Sequence, residues 1–514
     1  MKRRNWISAV LVLMLAMAVM AAGCSNGNDS NTNSGGKNGN ATGATSNASG
    51  GKQEEKPTLK LLRVYMAVDY NTYPVNTFLE EKTDYKLQND MLPQEKPSDK
   101  LNLIMASGSD YDLVDAQNKQ DFFNLAQNGA LTDLTPLIDE YGPNIKEAIS
   151  QESLDGASLD GKIYGIPTLN VSYVRSGLLI RTDWLEKVGK KMPTTLDEFV
   201  DVLKAFKDQD PGGNGKNNIA LTMDSTGLLD NVMGAFGIYG HWNDMGDSVL
   251  SIANHPQLKA YATFMRKLYD EGLLDNEFAT NKSATSAEKF TSGRAGVILA
   301  GWSSIPGFDE ALKKNAPNAT YEFIPPMQGP DGQSGLTKIG GFNKITFIPK
   351  SSKHAEDAIK LVNAMLEKDT FKELFIGEEG VTYKVEDGNY MPIAPAFFDE
   401  RGNANSFVIG MDEANFVTYW QARLQKSKPM FDNYLIINNI PEEQIHQDPL
   451  SFSPYLPQYS NDSANLASAV TENLIKMIVD GVTDDAIADL QKAWKAAGGE
   501  AVSKEINDWF SSKS

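Results

Sequence analysis

Hydrophobic and polar positions follow two different periods along the chain, and they predict strands and helices in alternation. The run Thr58–Tyr65 is short and rich in β-forming residues, which predicts a strand. From Leu196 to Phe206 apolar residues recur at helical spacing instead, and Thr195 with Glu198 forms a capping-box pattern at the start of that helix. Such alternation favours an α/β architecture in which helices cover sheets. Further strands are predicted over Asp112–Asp115, Lys162–Pro167, Ser176–Ile180, Ala295–Ala300 and Lys344–Pro349, and further helices over Val75–Glu81, Ser98–Ala106, Phe122–Asn128, Leu134–Tyr141, His354–Leu366 and Leu466–Val479.

The first residues have the pattern of an export signal. Basic residues 2–4 precede the apolar run Ile7–Met20, and small residues then lead to Cys24. The run is shorter than the roughly 20 residues that span a bilayer, so a transmembrane anchor is the less favoured interpretation. The segment resembles a bacterial lipoprotein signal, in which Cys24 is lipidated, although Ala21 stands where the usual pattern has Leu.

The segment after the signal has almost no apolar residues. We predict a signal peptide over 1–23 and a disordered tether over 24–56, because Ser, Asn, Gly and Thr cannot offset the entropy of ordering. The globular body then covers 57–514, and no further apolar run in it is long enough to cross a membrane.

Composition excludes several classes of function. The chain has 48 Lys and Arg against 67 Asp and Glu, so its formal net charge is −19 and nucleic-acid binding is not expected. The single cysteine rules out an internal disulfide or a cysteine metal cluster, and four histidines leave few options for transition metals.

An ordered set of segments across the body resembles the family 1 extracellular solute-binding proteins of ABC importers, and in particular the oligosaccharide-binding lipoproteins of Gram-positive bacteria. The resemblance covers residues 57–514, and no single motif in it is diagnostic. The segments that carry it are Ala106–Asp115, Leu131–Ile145, Asp160–Pro167, Leu178–Phe199, Arg294–Trp302 and Gly341–Leu366.

The resemblance implies a periplasmic-binding-protein-like α/β fold, with two lobes that close like a hinge on a ligand in the cleft between them. By analogy, lobe I comprises 57–168 and 344–410, and lobe II comprises 169–343 and 411–514. The implied partners are an oligosaccharide and the permease subunits of an ABC transporter. The protein would act as a monomer on the extracellular face of the membrane, held there by the lipid on Cys24.

A sugar site needs aromatic faces for stacking and a few fixed polar groups for the hydroxyls. We expect these groups where strands end and where the chain crosses between lobes. The resemblance favours Trp302 most, because the family often places an aromatic residue after this strand, although Trp302 could instead belong to the core. The full set of ligand-binding candidates is Tyr65, Asp69, Asn170, Tyr173, Arg175, Trp242, Trp302, Phe342 and Asn343, with Tyr455 and Tyr459 as weaker ones.

The segment Asp208–Asn218 resembles a calcium loop found in some relatives. Asp210, Asn214, the carbonyl of Lys216 and Asn218 match positions of that loop. A glycine and an isoleucine replace two of its oxygen ligands, and an asparagine replaces an acid, which weakens a site that prefers six to eight oxygens. A structural turn is therefore the preferred interpretation, and no other cofactor is expected.

Three functions remain open at this point. The first is a binding protein that captures an oligosaccharide and has no enzymatic activity. The second is a lipid-anchored enzyme that degrades glycans with paired carboxylates, although the chain has no serine-elbow or metalloprotease motif. The third is an importer component for peptides or amino acids, whose termini Arg175 and Asp69 could bind.

Overall fold

The computed structural model of the protein describes residues 56–108, 110–171, 173–229 and 231–513. The predicted signal peptide, Cys24 and nearly all of the predicted tether lie outside these residues.

Strands occur along the chain from residue 58 to residue 447. They are β1 Thr58–Arg63, β2 Lys86–Met91, β3 Leu113–Ala116, β4 Ser158–Leu159, β5 Lys162–Ile163, β6 Gly165–Leu169, β7 Ser176–Arg181, β8 Ile219–Thr222, β9 Trp242–Asp244, β10 Val249–Ser251, β11 Ala295–Gly301, β12 Tyr321–Phe323, β13 Leu336–Lys338, β14 Phe342–Phe347, β15 Tyr383–Glu386, β16 Asn389–Pro392 and β17 Ile445–Gln447.

Helices fill most of the chain between the strands and all of its C-terminal end. They are α1 Pro74–Thr83, α2 Pro97–Ala106, α3 Lys119–Gln127, α4 Thr135–Tyr141, α5 Pro143–Ala148, α6 Gln151–Asp155, α7 Thr182–Lys187, α8 Leu196–Gln209, α9 Leu258–Asp270, α10 Ser283–Thr291, α11 Ile305–Asn315, α12 Ala355–Met365, α13 Lys368–Ile376, α14 Ala396–Arg401, α15 Ala404–Phe407, α16 Phe416–Leu424, α17 Lys428–Asn438, α18 Pro457–Asp480, α19 Asp484–Ala496 and α20 Gly499–Ser511.

Two mixed sheets organise these elements. The first sheet has the strand order β2-β1-β3-β14-β6, and the second has the order β12-β7-β11-β8. In the first sheet β1 is parallel to β2 and β3, whereas β14 runs antiparallel to β3 and β6. In the second sheet β8 is parallel to β11, and β7 is antiparallel to it. The chain therefore leaves the first sheet after β6 and returns to it at β14.

Each sheet has its own apolar cores. Helices α1, α12 and α13 contribute to a core on the first sheet, whereas α8, α9 and α18 to α20 contribute to a core on the second. Helix α16 joins two of these cores, because Phe416 and Tyr419 pack with the first sheet while Leu424 packs with the second. Helices covering both sheets confirm the predicted α/β architecture.

The start of α8 shows how local sequence sets an element. The hydroxyl of Thr195 accepts a hydrogen bond from the backbone N–H of Glu198 at 3.2 Å, as the capping pattern predicts. The carboxylate of Glu198 accepts from the N–H of Thr194 at 2.8 Å, one residue before the cap. The predicted apolar face is buried from Leu196 to Phe206 in the core of the second sheet.

A buried ion network holds the first sheet together where β1 and β3 end and β14 begins. The carboxylate of Asp115 accepts from Arg63 Nε at 3.1 Å, Lys344 Nζ at 2.9 Å and the hydroxyl of Thr346 at 2.6 Å. Although burial opposes ionisation, these cationic partners hold the pKa of Asp115 below its usual range. Arg63 also donates to the carbonyl of Ser406 at 2.8 Å, which attaches the segment around α15 to the sheet.

Candidate functional site

A cavity of about 660 Å³ lies where strands of the second sheet end. Strands β8 and β11 are parallel, so their carboxyl ends meet at one edge of this sheet, which is where α/β proteins usually bind ligands. We call this space the hydroxyl cavity, because serine, threonine and tyrosine side chains dominate its polar lining. Its polar lining residues are Arg175, Ser176, Asp224, Thr226, Tyr239, Ser283, Ser286, Ser303, Ser304 and Thr337.

Two side chains of the hydroxyl cavity have unused hydrogen-bonding capacity. Arg175 is exposed, and within the described part of the chain it forms no ion pair. Ser286 is 3% exposed, and its hydroxyl has no hydrogen-bond partner among the described residues. A buried hydroxyl of this kind normally finds a partner, so these groups are free to bind a polar ligand.

A second, smaller cavity of about 280 Å³ shares Ser303 with the hydroxyl cavity. We call it the indole cavity, because the rings of Trp302 and Trp420 form part of its wall. Its lining residues are Trp302, Ser303, Pro306, Phe397, Phe398, Gly402, Asn405, Trp420, Arg423, Leu424, Lys426 and Met430.

Aromatic contacts fix the orientation of the indole rings. Trp302 packs edge-on against Tyr173, with ring centroids 5.2 Å apart, and against Tyr434 at 5.6 Å. Tyr173 lies nearly parallel to Trp420, at 6.4 Å and an interplanar angle of 4°. Burial raises the pKa of Tyr173, so its hydroxyl remains a neutral donor near neutral pH. The cluster thus offers flat apolar faces beside hydrogen-bonding edges.

The segments that change sheets contribute amide and aromatic groups. Asn343 donates to the side-chain oxygen of Asn170 at 3.3 Å, and Asn170 donates to the carbonyl of Gly340 at 3.2 Å. Phe342 faces the ammonium of Lys119, which lies 4.5 Å from the ring centroid. These contacts link the crossing after β6 to the return at β14.

The surrounding protein shifts the pKa values of two charged side chains near this crossing. Burial lowers the pKa of Lys119 to about 8, and its ammonium donates to the carbonyl of Ser453 at 2.8 Å. Asp448 is exposed to solvent, yet desolvation by the surrounding chain raises its pKa despite the nearby Lys119.

The structure therefore brings together some of the predicted residues. Arg175 lines the hydroxyl cavity, Trp302 lines the indole cavity, and Tyr173 contacts Trp302. Asn170 and Asn343 are hydrogen-bonded to each other at the crossing.

Other predicted residues lie outside both cavities. Tyr65 is exposed after β1, and Asp69 accepts hydrogen bonds from the backbone and side chain of Asn71 at 3.0 and 3.1 Å, as a cap does. Trp242 is buried in the core of the second sheet and packs edge-on against Tyr459. The part of these residues in ligand binding stays a prediction.

Tyr455 also has a structural partner. Its ring stacks on Phe123 at 5.2 Å, and its hydroxyl is hydrogen-bonded to the side chain of Gln120. These contacts join the segment before α18 to α3, on the first sheet.

The loop that resembles a calcium site is hydrogen-bonded as a turn. The carboxylate of Asp210 accepts from the backbone N–H groups of Asn214 and Gly215 at 2.8 and 2.7 Å. The side-chain amide of Asn214 donates to Gly293 at 2.8 Å, and that of Asn218 donates to Phe206 at 2.7 Å. The Asp210 carboxylate is thus used within the loop, whereas the buried side-chain oxygen of Asn218 has no hydrogen-bond partner among the described residues, and calcium binding at this loop stays a prediction. No cluster of three or more acidic, histidine or cysteine side chains suited to a metal occurs in the described residues.

Reasoning from sequence did not identify Tyr239, Ser286, Trp420 or Arg423 as lining residues. Ser286 and Trp420 lie in helical segments whose pattern indicates ordinary packing. The one available signal is the aromatic density of Phe416–Leu424, which is higher than a single core face requires.

Comparison with known proteins points to one family. A family model described as bacterial extracellular solute-binding protein matches residues 75–382. Lipoprotein LipO of Bacillus subtilis is 28% identical over 99% of this chain and 99% of its own length. The polygalacturonan/rhamnogalacturonan-binding protein YtcQ of the same organism is 25% identical over 98% of this chain and 99% of its own length.

A solved structure has the same fold. FusA, an ABC-transporter substrate-binding protein of Streptococcus pneumoniae in complex with kestose, superposes with a TM-score of 0.65 at 20% identity, over 89% of this chain and all of its own. Another structure of FusA is described as an EF-hand mutant, so some relatives have a loop of the calcium-binding kind. In the part of our chain that the structure describes, no helix is long and apolar enough to cross a membrane.

Proposed function

The chain belongs to the bacterial extracellular solute-binding proteins, as its sequence predicted, and from that premise we propose that it captures an oligosaccharide for an ABC transporter. The family comprises binding proteins, so the chain is a solute-binding protein rather than a glycan-degrading enzyme. Its fold is the two-domain α/β fold of these proteins.

The observation that carries the oligosaccharide proposal is the pair of adjacent cavities that share Ser303. The hydroxyl cavity supplies hydroxyls, one carboxylate and the unpaired guanidinium of Arg175. The indole cavity supplies the rings of Trp302 and Trp420. A sugar presents hydroxyl groups around its rim and apolar C–H faces above and below its ring, and these two linings are suited to both.

In this proposal, the main contacts with the ligand come from Trp302, Tyr173 and Arg175. Asn170, Phe342 and Asn343 would contribute at the crossing between the lobes. The names of YtcQ and of the FusA complex with kestose support a saccharide ligand, since both describe binding of oligosaccharides or polysaccharides.

Two lobes that close on the ligand are part of the same proposal. The predicted boundaries put 57–168 and 344–410 in lobe I, and 169–343 and 411–514 in lobe II. The change of sheet between β6 and β7, and the return between β13 and β14, support the first two boundaries. A third connection near α16 is supported by the packing of this helix in both cores.

The location follows from the N-terminal pattern. We propose that Cys24 is lipidated and that 24–56 act as a tether, which keeps a monomeric body at the outer face of the membrane. A flexible chain of this length spans roughly 30 Å, enough for the body to reach a permease in the same membrane.

The test is thermal denaturation of the purified full chain with a panel of oligosaccharides, amino acids and peptides. A ligand at 100 times its Kd adds about 2.7 kcal/mol to the folded state, which raises Tm by a few degrees. We expect a shift with one class of oligosaccharide and intact sugar afterwards. A shift with peptides or amino acids alone would contradict the ligand class, and sugar degradation would contradict the binding-protein assignment.

A further inference from the structure

Arg423, in the wall of the indole cavity, is a buried charge with unused donors. Its side chain is 8% exposed and donates to the carbonyls of Gly402 at 2.7 Å and Phe375 at 3.2 Å. A guanidinium has five N–H donors. Its Nε has no hydrogen-bond partner among the described residues, so the side chain has capacity for a further acceptor.

Within the described residues no carboxylate forms an ion pair with Arg423. Aromatic rings surround it instead, with the centroid of Phe375 at 4.5 Å and that of Phe397 at 5.8 Å. The pKa of Arg423 is lowered to about 10, chiefly by burial, with Tyr73 opposing this shift and the charge of Arg401 adding to it. Arg423 nevertheless remains charged at neutral pH.

An unpaired buried charge is unfavourable unless something compensates it. Removing an ion from water costs several kcal/mol. The two carbonyl acceptors and the two aromatic faces offset part of this cost, but Nε still has no acceptor among the described residues. The compensation is therefore incomplete in the chain by itself. An anion in the indole cavity would complete it.

The other polar groups of the indole cavity are also mainly donors. The indole N–H groups of Trp302 and Trp420 are buried and have no acceptor among the described residues. Lys426 is exposed and forms no ion pair in the described part of the chain. The lining contains no aspartate or glutamate, in contrast with the hydroxyl cavity, which contains Asp224.

We propose that the indole cavity binds the carboxylate of an acidic sugar unit, with Arg423 and Lys426 as its cationic partners and the indole rings against the sugar face. This inference rests on the proposed function and specifies its ligand as an acidic oligosaccharide. A carboxylate matches the planar guanidinium better than a spherical anion does, because two parallel hydrogen bonds can form. The net charge of −19 does not prevent this, since an ion pair in a desolvated cavity is screened far less than one at the surface.

The experiment is isothermal titration of the full chain with galacturonate oligosaccharides of one to four units, each as the free acid and as its neutral methyl ester. We expect at least one free acid to bind about tenfold more tightly than its ester. Arg423→Gln should abolish this preference, so that the acid and its ester bind with equal affinity. Arg423→Lys should restore only part of it, because an ammonium lacks the planar fork.

Lys426→Gln keeps the test decisive if Arg423→Gln does not fold. Lys426 is exposed, so its replacement should leave Tm unchanged and reduce the preference for the acid about threefold. The matched control is Lys428→Gln, whose side chain is outside the cavity and pairs with Asp432, and it should change neither quantity.

Each other outcome overturns the inference. If every ester binds as tightly as its acid, or if the preference survives in both the Arg423 and Lys426 variants, the cavity does not recognise a carboxylate. Neutral esters that bind in the same titrations would leave the proposed function intact. The absence of binding by any saccharide, acidic or neutral, would contradict both.

Discussion

Trp242 and Trp302 show that residue type alone does not decide whether a side chain is a candidate ligand contact. Each side chain is 5% exposed, and each follows a glycine-containing or turn-like segment. Trp302 lies where β11 ends and lines the indole cavity, whereas Trp242 packs in the core of the second sheet and lines, with Tyr459, a separate cavity of about 270 Å³. Their surroundings, and not their burial, separate a candidate ligand contact from a packing residue.

Replacement of Trp302 by a smaller aromatic residue should affect binding more than folding. We expect Trp302→Phe to cost about 1–2 kcal/mol of oligosaccharide binding free energy, because the indole face and N–H at the cavity are lost. Trp184→Phe is the matched control, since this ring is buried in the core of the second sheet and lines neither cavity, and it should leave the affinity unchanged. Titration calorimetry with melting curves measures both, and equal losses of affinity would show that Trp302 has no special role.

The buried network at Asp115 makes stability depend on pH. Asp115→Asn removes the counter-charge of Arg63 and Lys344, and we expect it to lower the free energy of unfolding by about 3–5 kcal/mol at pH 7. The pKa of Asp115 is lower in the folded chain than its ordinary 3.8, so its stabilising contribution is present above that value. The contribution is lost as pH falls through the lower, folded pKa.

Urea denaturation between pH 7 and pH 3 checks this expectation. The loss of stability on acidification should be smaller in Asp115→Asn than in the parent chain, because the titrating group is gone. A parallel decline in the two proteins would contradict an ionised, stabilising Asp115.

At the scale of elements, the sequence predicted the central strands of both sheets, but it did not predict the edge strand β2. β1, β3, β7, β11 and β14 are short apolar runs that can be buried on both faces. β2 has the sequence KLQNDM, in which Leu87 and Asn89 are buried and their neighbours are exposed. Asn89 is buried because it donates to the side chain of Asn76 at 2.9 Å, a partner that no local pattern reveals.

The loop between α8 and β8 is an element whose local hydrogen bonds explain its sequence. Asp210→Ala should lower the free energy of unfolding by about 1–3 kcal/mol, since its carboxylate accepts two backbone N–H groups. Millimolar calcium should leave Tm unchanged in both proteins. Melting curves with calcium or with a chelator measure this, and a calcium-dependent rise in Tm that Asp210→Ala abolishes would instead establish a metal site.

At the scale of the whole molecule, the connections between the two sheets are tightly packed. Gly341 lies at the return to the first sheet with a φ of +71°, and a Cβ there would meet the carbonyl oxygen of Ser451 at 2.5 Å. A close approach of this kind needs glycine. The crossing strands are thus packed tightly against the segment that precedes α18.

Ligand binding should make the molecule more compact. We expect the radius of gyration from small-angle X-ray scattering to fall when a saturating oligosaccharide is added, because hinge closure buries the ligand between the lobes. Gly341→Ala should weaken the affinity through strain at the crossing, whereas Gly307→Ala, with open space around its Cβ, should not. An unchanged radius with a bound ligand would argue against closure.

Attachment to the membrane should depend on the thiol sulfur of Cys24. Cys24→Ser should release the protein from membranes into the medium, because serine cannot carry the thioether-linked lipid of the predicted signal. Fractionation of cells followed by immunoblotting measures this. Retention of the serine variant in the membrane fraction would point to a different anchor.

The sequence by itself determined the α/β class, most of the central strands and helices, and the family, and it predicts the export signal. These properties follow from local periodicity, local capping and the order of segments, all of which are readable along one dimension. Only the tertiary structure decided that Arg175 and Ser286 share one cavity, and that Trp302, Trp420 and Arg423 share another. Segments distant in sequence meet there because the chain changes sheets. The charge of Arg423 is significant because no carboxylate among the described residues pairs with it.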